Sequence, residues 1–171
     1  TLTAVLVRAV GLALHEHPRV NARFAEQALV LSEHCNVGVA VAVEGGLFVP
    51  VIQDADRKDI AGISSEVRSL ADAARRGELR PDQYEGGSIT LSNLGMFGVD
   101  YFQAIINPPE SCIIGVGAAR QQPVVCEGEL AVARVMGVTL SADHRALDGV
   151  QAGQFMESVR GLLEAPKQLR G

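Results

Sequence analysis

A chain of 171 residues and 18.1 kDa is long enough for one domain with a sizeable core, and no repeat, low-complexity tract or linker-like stretch divides it. Apolar residues make up 47% and mean hydropathy is +0.18, yet no apolar run reaches the roughly 18 residues of a membrane span, so the surplus points to burial between subunits. A formal charge of −5 with a pI near 5.3 lacks the basic excess that phosphate-backbone binding needs, which argues against a nucleic-acid partner.

Residues 2–14 set Leu2, Val5, Leu6, Ala9, Val10, Ala13 and Leu14 at helical spacing and predict a helix with one broad buried stripe, stopping near Pro18. Residues 28–31 and 37–43 are rich in β-branched side chains. Glu44-Gly45-Gly46 then precedes another apolar run at 47–52, which predicts a hairpin. Asp56 or Asp59 can cap a second helix whose Ile60, Ile63, Val67, Leu70, Ala71 and Ala74 share a face, with Gly77 past its end. Pro81 restarts the chain in a short turn or helix. Strands are expected at 88–92, 112–118, 123–126 and 130–140, and Asp148 or Gly149 opens a terminal helix through Phe155, Val159 and Leu162 to Pro166. Helices and strands in this order predict an α/β sandwich on one mixed sheet.

The strongest chemical signal is Asp143-His144-Arg145-Ala146-Leu147-Asp148-Gly149, where the last strand gives way to the last helix. A loop there leaves His144 accessible, and imidazole is the side chain whose ordinary pKa lies nearest neutrality, suited to take a proton from a thiol or hydroxyl. Asp148 can steady the loop or the imidazole, and Gly149 permits a tight turn. On the residues alone, a surface histidine beside a helix cap is the competing reading. Ser92 closes a strand at Asn93-Leu94-Gly95, where a hydroxyl often does no more than shape a turn.

Other signals carry less. Gly115-Val116-Gly117 imitates half a dinucleotide fingerprint, but Arg120 stands in place of the third glycine and Pro123 blocks a helix. His15, His17 and His34 lack metal-ligand spacing, and no metal is expected. Cys35, Cys112 and Cys126 are odd in number without a C-x-x-C pair, which suggests neither disulfide framework nor zinc knuckle and fits a reducing compartment. Cys112, inside an apolar strand, reads as a buried inert thiol.

Six segments, in order and at matching separations, resemble one family: His17-Pro18-Arg19-Val20-Asn21, Gly38-Val39-Ala40-Val41-Ala42-Val43, Gly46-Leu47-Phe48-Val49-Pro50-Val51-Ile52, Gly87-Ser88-Ile89-Thr90-Leu91-Ser92-Asn93-Leu94-Gly95, Ile106-Asn107-Pro108-Pro109, and Asp143-His144-Arg145 through Asp148-Gly149. They look like the catalytic domain of dihydrolipoamide acyltransferases, core enzymes of 2-oxo acid dehydrogenase complexes. The resemblance implies a chloramphenicol-acetyltransferase-like sandwich, a mixed β-sheet with helices packed on it. It assigns 1–171 to that catalytic domain without its N-terminal part, the lipoyl and subunit-binding domains lying outside.

It further implies homotrimers building a cubic or icosahedral core, with active sites in channels between subunits. Coenzyme A as substrate enters one end, and the lipoyl group, carried on a separate domain, enters the other. Implied partners are that lipoyl domain and the decarboxylase and dihydrolipoamide dehydrogenase components, with no nucleic acid and no membrane. The implied location is the bacterial cytoplasm, or the mitochondrial matrix in a eukaryote. By the resemblance His144 is the catalytic histidine, Ser92 stabilises the tetrahedral oxyanion from the neighbouring subunit, and Asp148 orders the loop through an arginine of the N-terminal stretch. Arg75, Arg76 and Arg80 read as a solvated helix end, with a contact to coenzyme phosphates as the alternative. Asn93-Leu94-Gly95-Met96-Phe97-Gly98 favours acetyl transfer, while Ser141-Ala142-Asp143 also occurs in branched-chain members. The alternatives are a branched-chain enzyme, a non-catalytic core homologue, which His144 argues against, or transfer to a free hydroxyl or amine. Condensation domains of that last class carry a histidine where Asp143 stands.

Overall fold

The structure, a computed structural model, describes residues 1–169. Helix α1 spans Leu2–Glu16, with the Thr1 hydroxyl accepting the Ala4 amide at its start and His17 closing it before Pro18. Its buried surface is wider than one stripe: Leu6, Val7, Ala9, Val10, Ala13 and Leu14 are all at most 1% exposed. The cause is its position, in contact with both other helices and with the sheet, so that little of its circumference meets water. Helix α2, Ile60–Arg76, is capped by Asp59, whose side chain accepts the Gly62 amide at 2.7 Å, and ends on Gly77 at φ 69°. Asp56, the other candidate cap, lies instead in a 3-10 turn, Ala55–Arg57. Helix α3 spans Gly149–Glu164 and buries Phe155 and Val159.

The strands are β1 Ala22–Ala25, β2 Ala28–Leu31, β3 Val37–Val39, β4 Val41–Val43, β5 Gly46–Phe48, β6 Val51–Ile52, β7 Ile89–Asn93, β8 Cys112–Cys126 and β9 Glu129–Ala142. The expected run at 37–43 is two strands. Val39 and Ala40 donate to Pro50 and Leu91 within the main sheet, after which the chain departs and β4 pairs with β5 in a separate hairpin. Strand β1 has no counterpart among the sequence-based expectations; it pairs with β2 across a two-residue turn in which Glu26 and Gln27 both take positive φ, without the usual glycine.

The main sheet runs β6-β3-β7-β8-β9, with β3-β7 and β7-β8 parallel and the outer pairs antiparallel, a mixed sheet as expected. Alternation sorts β7: Ile89 and Leu91, fully buried, belong to the core shared with the helices, while Thr90 and Ser92 line a groove on the other side. On β8 and β9, Ile114, Val116, Val138 and Leu140 likewise join the helix-side core, whereas Gly115, Gly117, Gly137 and Thr139 lie under the segment 99–103. A Cβ on Gly117 would overlap the Asp100 carbonyl, and one on Gly137 would overlap Tyr101. The glycines that imitate a nucleotide fingerprint thus serve close backbone approach.

Beyond a bulge between Val116 and Ala119, β8 and β9 continue as an exposed two-stranded arm. Pairing with β7 stops at Val116, so Pro123 sits in a strand with one open side, where a missing amide breaks no second ladder. The two strands expected at 112–118 and 123–126 are for this reason one.

Candidate functional site

His144 stands in a turn between β9 and α3 that is fastened at its base. The Asp143 amide donates to Ser111, and the Asp143 carbonyl accepts from Ala146 at 2.9 Å and Leu147 at 3.0 Å. Ala146 and Leu147 are buried, leaving His144 and Arg145 exposed on the outside of the turn. The Asp143 carboxylate takes a forked contact from the Arg145 guanidinium at 2.7–3.2 Å, which holds its pKa down at about 2. The same guanidinium stacks over the Phe24 ring at 4.8 Å, tying the turn to β1.

Asp148 follows as the N-cap of α3. Its carboxylate accepts the Gln151 amide at 2.9 Å, and the Gln151 side chain accepts the Asp148 amide at 3.3 Å, a reciprocal capping box. Asp148 thereby fixes where the helix begins, four residues after His144.

Ser92 is half-buried and lines a groove of about 400 Å³ with Thr90, Ala40, Val49, Phe102 and Ile113. Residues 102–108, which include the exposed Ile105, form its other wall. Thr90 is anchored from behind, its hydroxyl donating to Glu110 at 2.6 Å. Glu110 is 7% exposed, and burial pushes its carboxyl up to about 7, so at neutral pH it is substantially protonated. Nothing in the sequence pattern marks Glu110, because an acid after two prolines usually faces solvent.

The structure separates the two principal candidates within one chain. Ser92 registers with Gly115 and Gly115 with Thr139, so three residues of β9, about 10 Å, and two strand spacings, also about 10 Å, part Ser92 from the start of the His144 turn. A larger depression of about 570 Å³ lies between α2 and the 80–83 turn, but its charged groups are already paired, Arg80 with Asp82 at 3.0 Å and Glu66 with Lys58 at 2.6 Å. Arg75 and Arg76 are likewise paired, with Asp72 and Glu78. The His17 imidazole meets the Ser158 hydroxyl at 2.8 Å and packs edge-on to Phe155, a structural tie between α1 and α3. Cys112 is buried and burial pushes its thiol up to about 12, as an inert core cysteine requires.

The helix layer on one face of a mixed sheet, with a long terminal hairpin, defines an α/β protein of the chloramphenicol acetyltransferase architecture. A solved chloramphenicol acetyltransferase superposes with a TM-score of 0.61 over 95% of this chain and 78% of that one at 21% identity, which bears on the fold alone. Residues 1–170 match the 2-oxoacid dehydrogenases acyltransferase (catalytic domain) family, and the chain belongs to it. Among relatives, the dihydrolipoyllysine-residue acetyltransferase component of the pyruvate dehydrogenase complex of Rickettsia bellii is 42% identical over 161 residues, 94% of this chain and 38% of that protein. The chain therefore spans well under half the length of such relatives.

Among solved structures, the cubic core of a pyruvate dehydrogenase multienzyme complex matches with a TM-score of 0.94 at 34% identity, covering 99% of this chain and 70% of that one. The dihydrolipoamide acetyltransferase of Azotobacter vinelandii gives 0.94 at 33% identity, again over 99% and 70%. That structure comes from work on the role of a serine, a histidine and an asparagine in its catalytic mechanism, and those three lie at the same mutual separations as Ser92, His144 and Asp148 here.

Proposed function

We propose that this chain transfers an acyl group, acetyl by preference, between the dihydrolipoamide thiol of a lipoyl group and coenzyme A, with His144 as general base and Ser92 stabilising the oxyanion. The observation that carries it is an accessible imidazole on a fastened turn, together with a hydroxyl in an apolar groove at the serine-to-histidine separation of the Azotobacter vinelandii enzyme. Acetyl is supported by the acetyltransferase names of the relatives.

The chemistry follows from thiol ionisation. A thiol of ordinary pKa near 8.5 is only a few per cent thiolate at neutral pH, so His144 must accept its proton as it attacks the thioester. The Ser92 hydroxyl then donates to the oxygen that gains charge, an effect on the order of 3 kcal/mol for one well-placed donor. Collapse restores the carbonyl and expels the second thiolate, to which His144 returns the proton. Transfer between two bound thiols needs no acyl-enzyme and no metal.

Because one chain holds the two groups apart, the site forms between subunits, His144 of one facing Ser92 of its neighbour in a homotrimer. The exposed arm with Val125, Leu130 and Val132, each at least 70% exposed, and the exposed Met96, Phe97 and Tyr101 supply apolar surface for that contact. We assign residues 1–171 to the catalytic domain of a longer chain, whose trimers build a cubic or icosahedral core served by the lipoyl domain, the decarboxylase and dihydrolipoamide dehydrogenase. A bacterial cytoplasm suits the bacterial relatives, and no helix among the described residues is long and apolar enough to cross a membrane.

Mixed assemblies test the shared site. Chains carrying His144→Ala and chains carrying Ser92→Ala, dissociated and reassembled together, should regain part of the dihydrolipoamide and coenzyme A activity that each lacks alone. Mixed trimers as inactive as the pure variants would overturn the arrangement.

A further inference from the structure

Away from the groove, the C-terminal end of α1 meets the 3-10 turn at Ala55–Arg57. Gly11 sets the distance: a Cβ there would fall 2.8 Å from the Ala55 backbone. Arg8, one turn earlier, is 7% exposed and donates to the Ala55 carbonyl at 3.3 Å and to the Asp56 carbonyl, fixing the turn through its backbone rather than through the Asp56 carboxylate. His15, one turn later, places Nδ1 3.6 Å from Asp56 Oδ2. Cys35, 4% exposed, brings its thiol to the same point from the entrance to β3, and the donor atoms of His15, Cys35 and Asp56 all lie within 4.8 Å of one another.

A separate observation concerns the same carboxylate. The Asp56 side chain is only 10% exposed, and its Oδ1 is buried with no hydrogen-bond partner among the described residues. A buried carboxylate oxygen left this way is costly unless a cation or donor meets it.

We infer that His15, Cys35 and Asp56 form a binding site for a divalent transition metal of the zinc type. One nitrogen, one sulfur and one oxygen donor suit zinc, whose bonds of roughly 2.0–2.3 Å space tetrahedral ligands about 3.3–3.8 Å apart. His15 Nδ1 and Asp56 Oδ2, 3.6 Å apart, already stand at that spacing, the approach to the Cys35 sulfur needs about 1 Å, and a water completes the fourth position on the solvent side, where His15 is 75% exposed. The carbonyl end of α1 adds a favourable field for a cation. Arg57, whose Nε is 3.9 Å from Asp56 Oδ2, is 70% exposed and can swing clear. On binding, the Cys35 thiol yields its proton to solvent and the sulfur bonds the metal as thiolate, one proton released per ion. The ion would clamp α1 to the turn before α2 and to the entrance of β3. The site is independent of the acyl-transfer reading.

Titration of the full chain with Co²⁺, followed by Zn²⁺, tests it. One equivalent should bind with a thiolate-to-cobalt charge-transfer band, be displaced by Zn²⁺, and raise Tm. Cys35→Ser should abolish the band. His15→Ala, at an exposed position that leaves folding intact, should weaken affinity by at least about tenfold, the lower bound seen when merely supporting groups at metal sites are removed. Cys126→Ser should change nothing. Absence of the band in the parent chain, its survival in Cys35→Ser, or its loss in Cys126→Ser would overturn the site.

Discussion

The His144 turn and the Ser92 groove are built by opposite means. The turn is local and polar, its fastenings falling within 143–151 apart from the Ser111 carbonyl and the Phe24 ring. The groove is assembled from distant segments, β7, the β3-β4 junction, β5 and residues 102–108, and its anchor Glu110 is buried. Short-range hydrogen bonds can thus present a base in the open, whereas an apolar channel wall needs long-range packing. The same contrast appears in acid strength, with Asp143 held at about 2 by an exposed partner and Glu110 raised to about 7 by burial.

The sharpest break in the comparison is chemical. His144→Ala should lower acyl transfer by about 10³-fold without changing assembly size, the typical weight of a positioned base. Ser92→Ala should cost about 10²-fold or more, mainly in kcat, as loss of one oxyanion donor does. Steady-state kinetics with dihydrolipoamide and acetyl-coenzyme A would check both, and retained turnover in His144→Ala would reject the assignment.

Next in size is the groove's backing. Gly117→Ala forces a Cβ into the Asp100 carbonyl and should destabilise the fold by about 3 kcal/mol in urea unfolding. Should it be neutral, the 99–103 segment does not lie on β8 as described.

Acid dependence separates the regions by sign. Glu110 has a folded pKa near 7 against 4.5 in the open chain, so the unfolded state ionises first. Its contribution is full below about 4.5 and is lost as pH rises to about 7, by roughly 3 kcal/mol in all. Glu110→Gln keeps the acceptor for Thr90 and should flatten that window; an unchanged slope in urea titrations would remove Glu110 as its cause. Asp143 acts oppositely: its stabilisation is present above about 4 and is lost as pH falls through about 2. Because that pair is exposed, its effect is small.

The smallest effect concerns the cap. Asp148→Ala should cost about 1 kcal/mol of thermal stability, while Asp148→Asn should cost almost nothing, because either side chain accepts the Gln151 amide. An equal loss in both would mean that the charge of Asp148 matters beyond the cap. The Azotobacter vinelandii enzyme, with asparagine at the matching separation, fits the neutral expectation.

Sequence legibility follows the same division. The Asp143–Gly149 motif, the Asp59 cap, the Gly77 terminator and the 3.6-residue stripe of α2 are short-range signals, and each stands where the pattern put it. Strand β1 was not legible, since Ala22–Ala25 alternates weakly and its turn uses Glu26 and Gln27 rather than glycine. Gly115 and Gly117 were visible but ambiguous, because the pattern could not show the Asp100–Phe102 backbone lying over them. The triad His15, Cys35 and Asp56 escaped for the same reason, its members arriving from three elements.

By itself the sequence determined the helices, their caps, the family-like motifs and the identity of the candidate base, because these depend on neighbours a few residues away. Tertiary structure decided that Ser92 faces a groove, that Glu110 is buried behind it, that Arg8 and Gly11 bring His15 to Asp56, and that one chain keeps Ser92 far from His144. Those facts depend on sheet register and on which faces meet, and register is a property of strands paired across the chain rather than of any one segment.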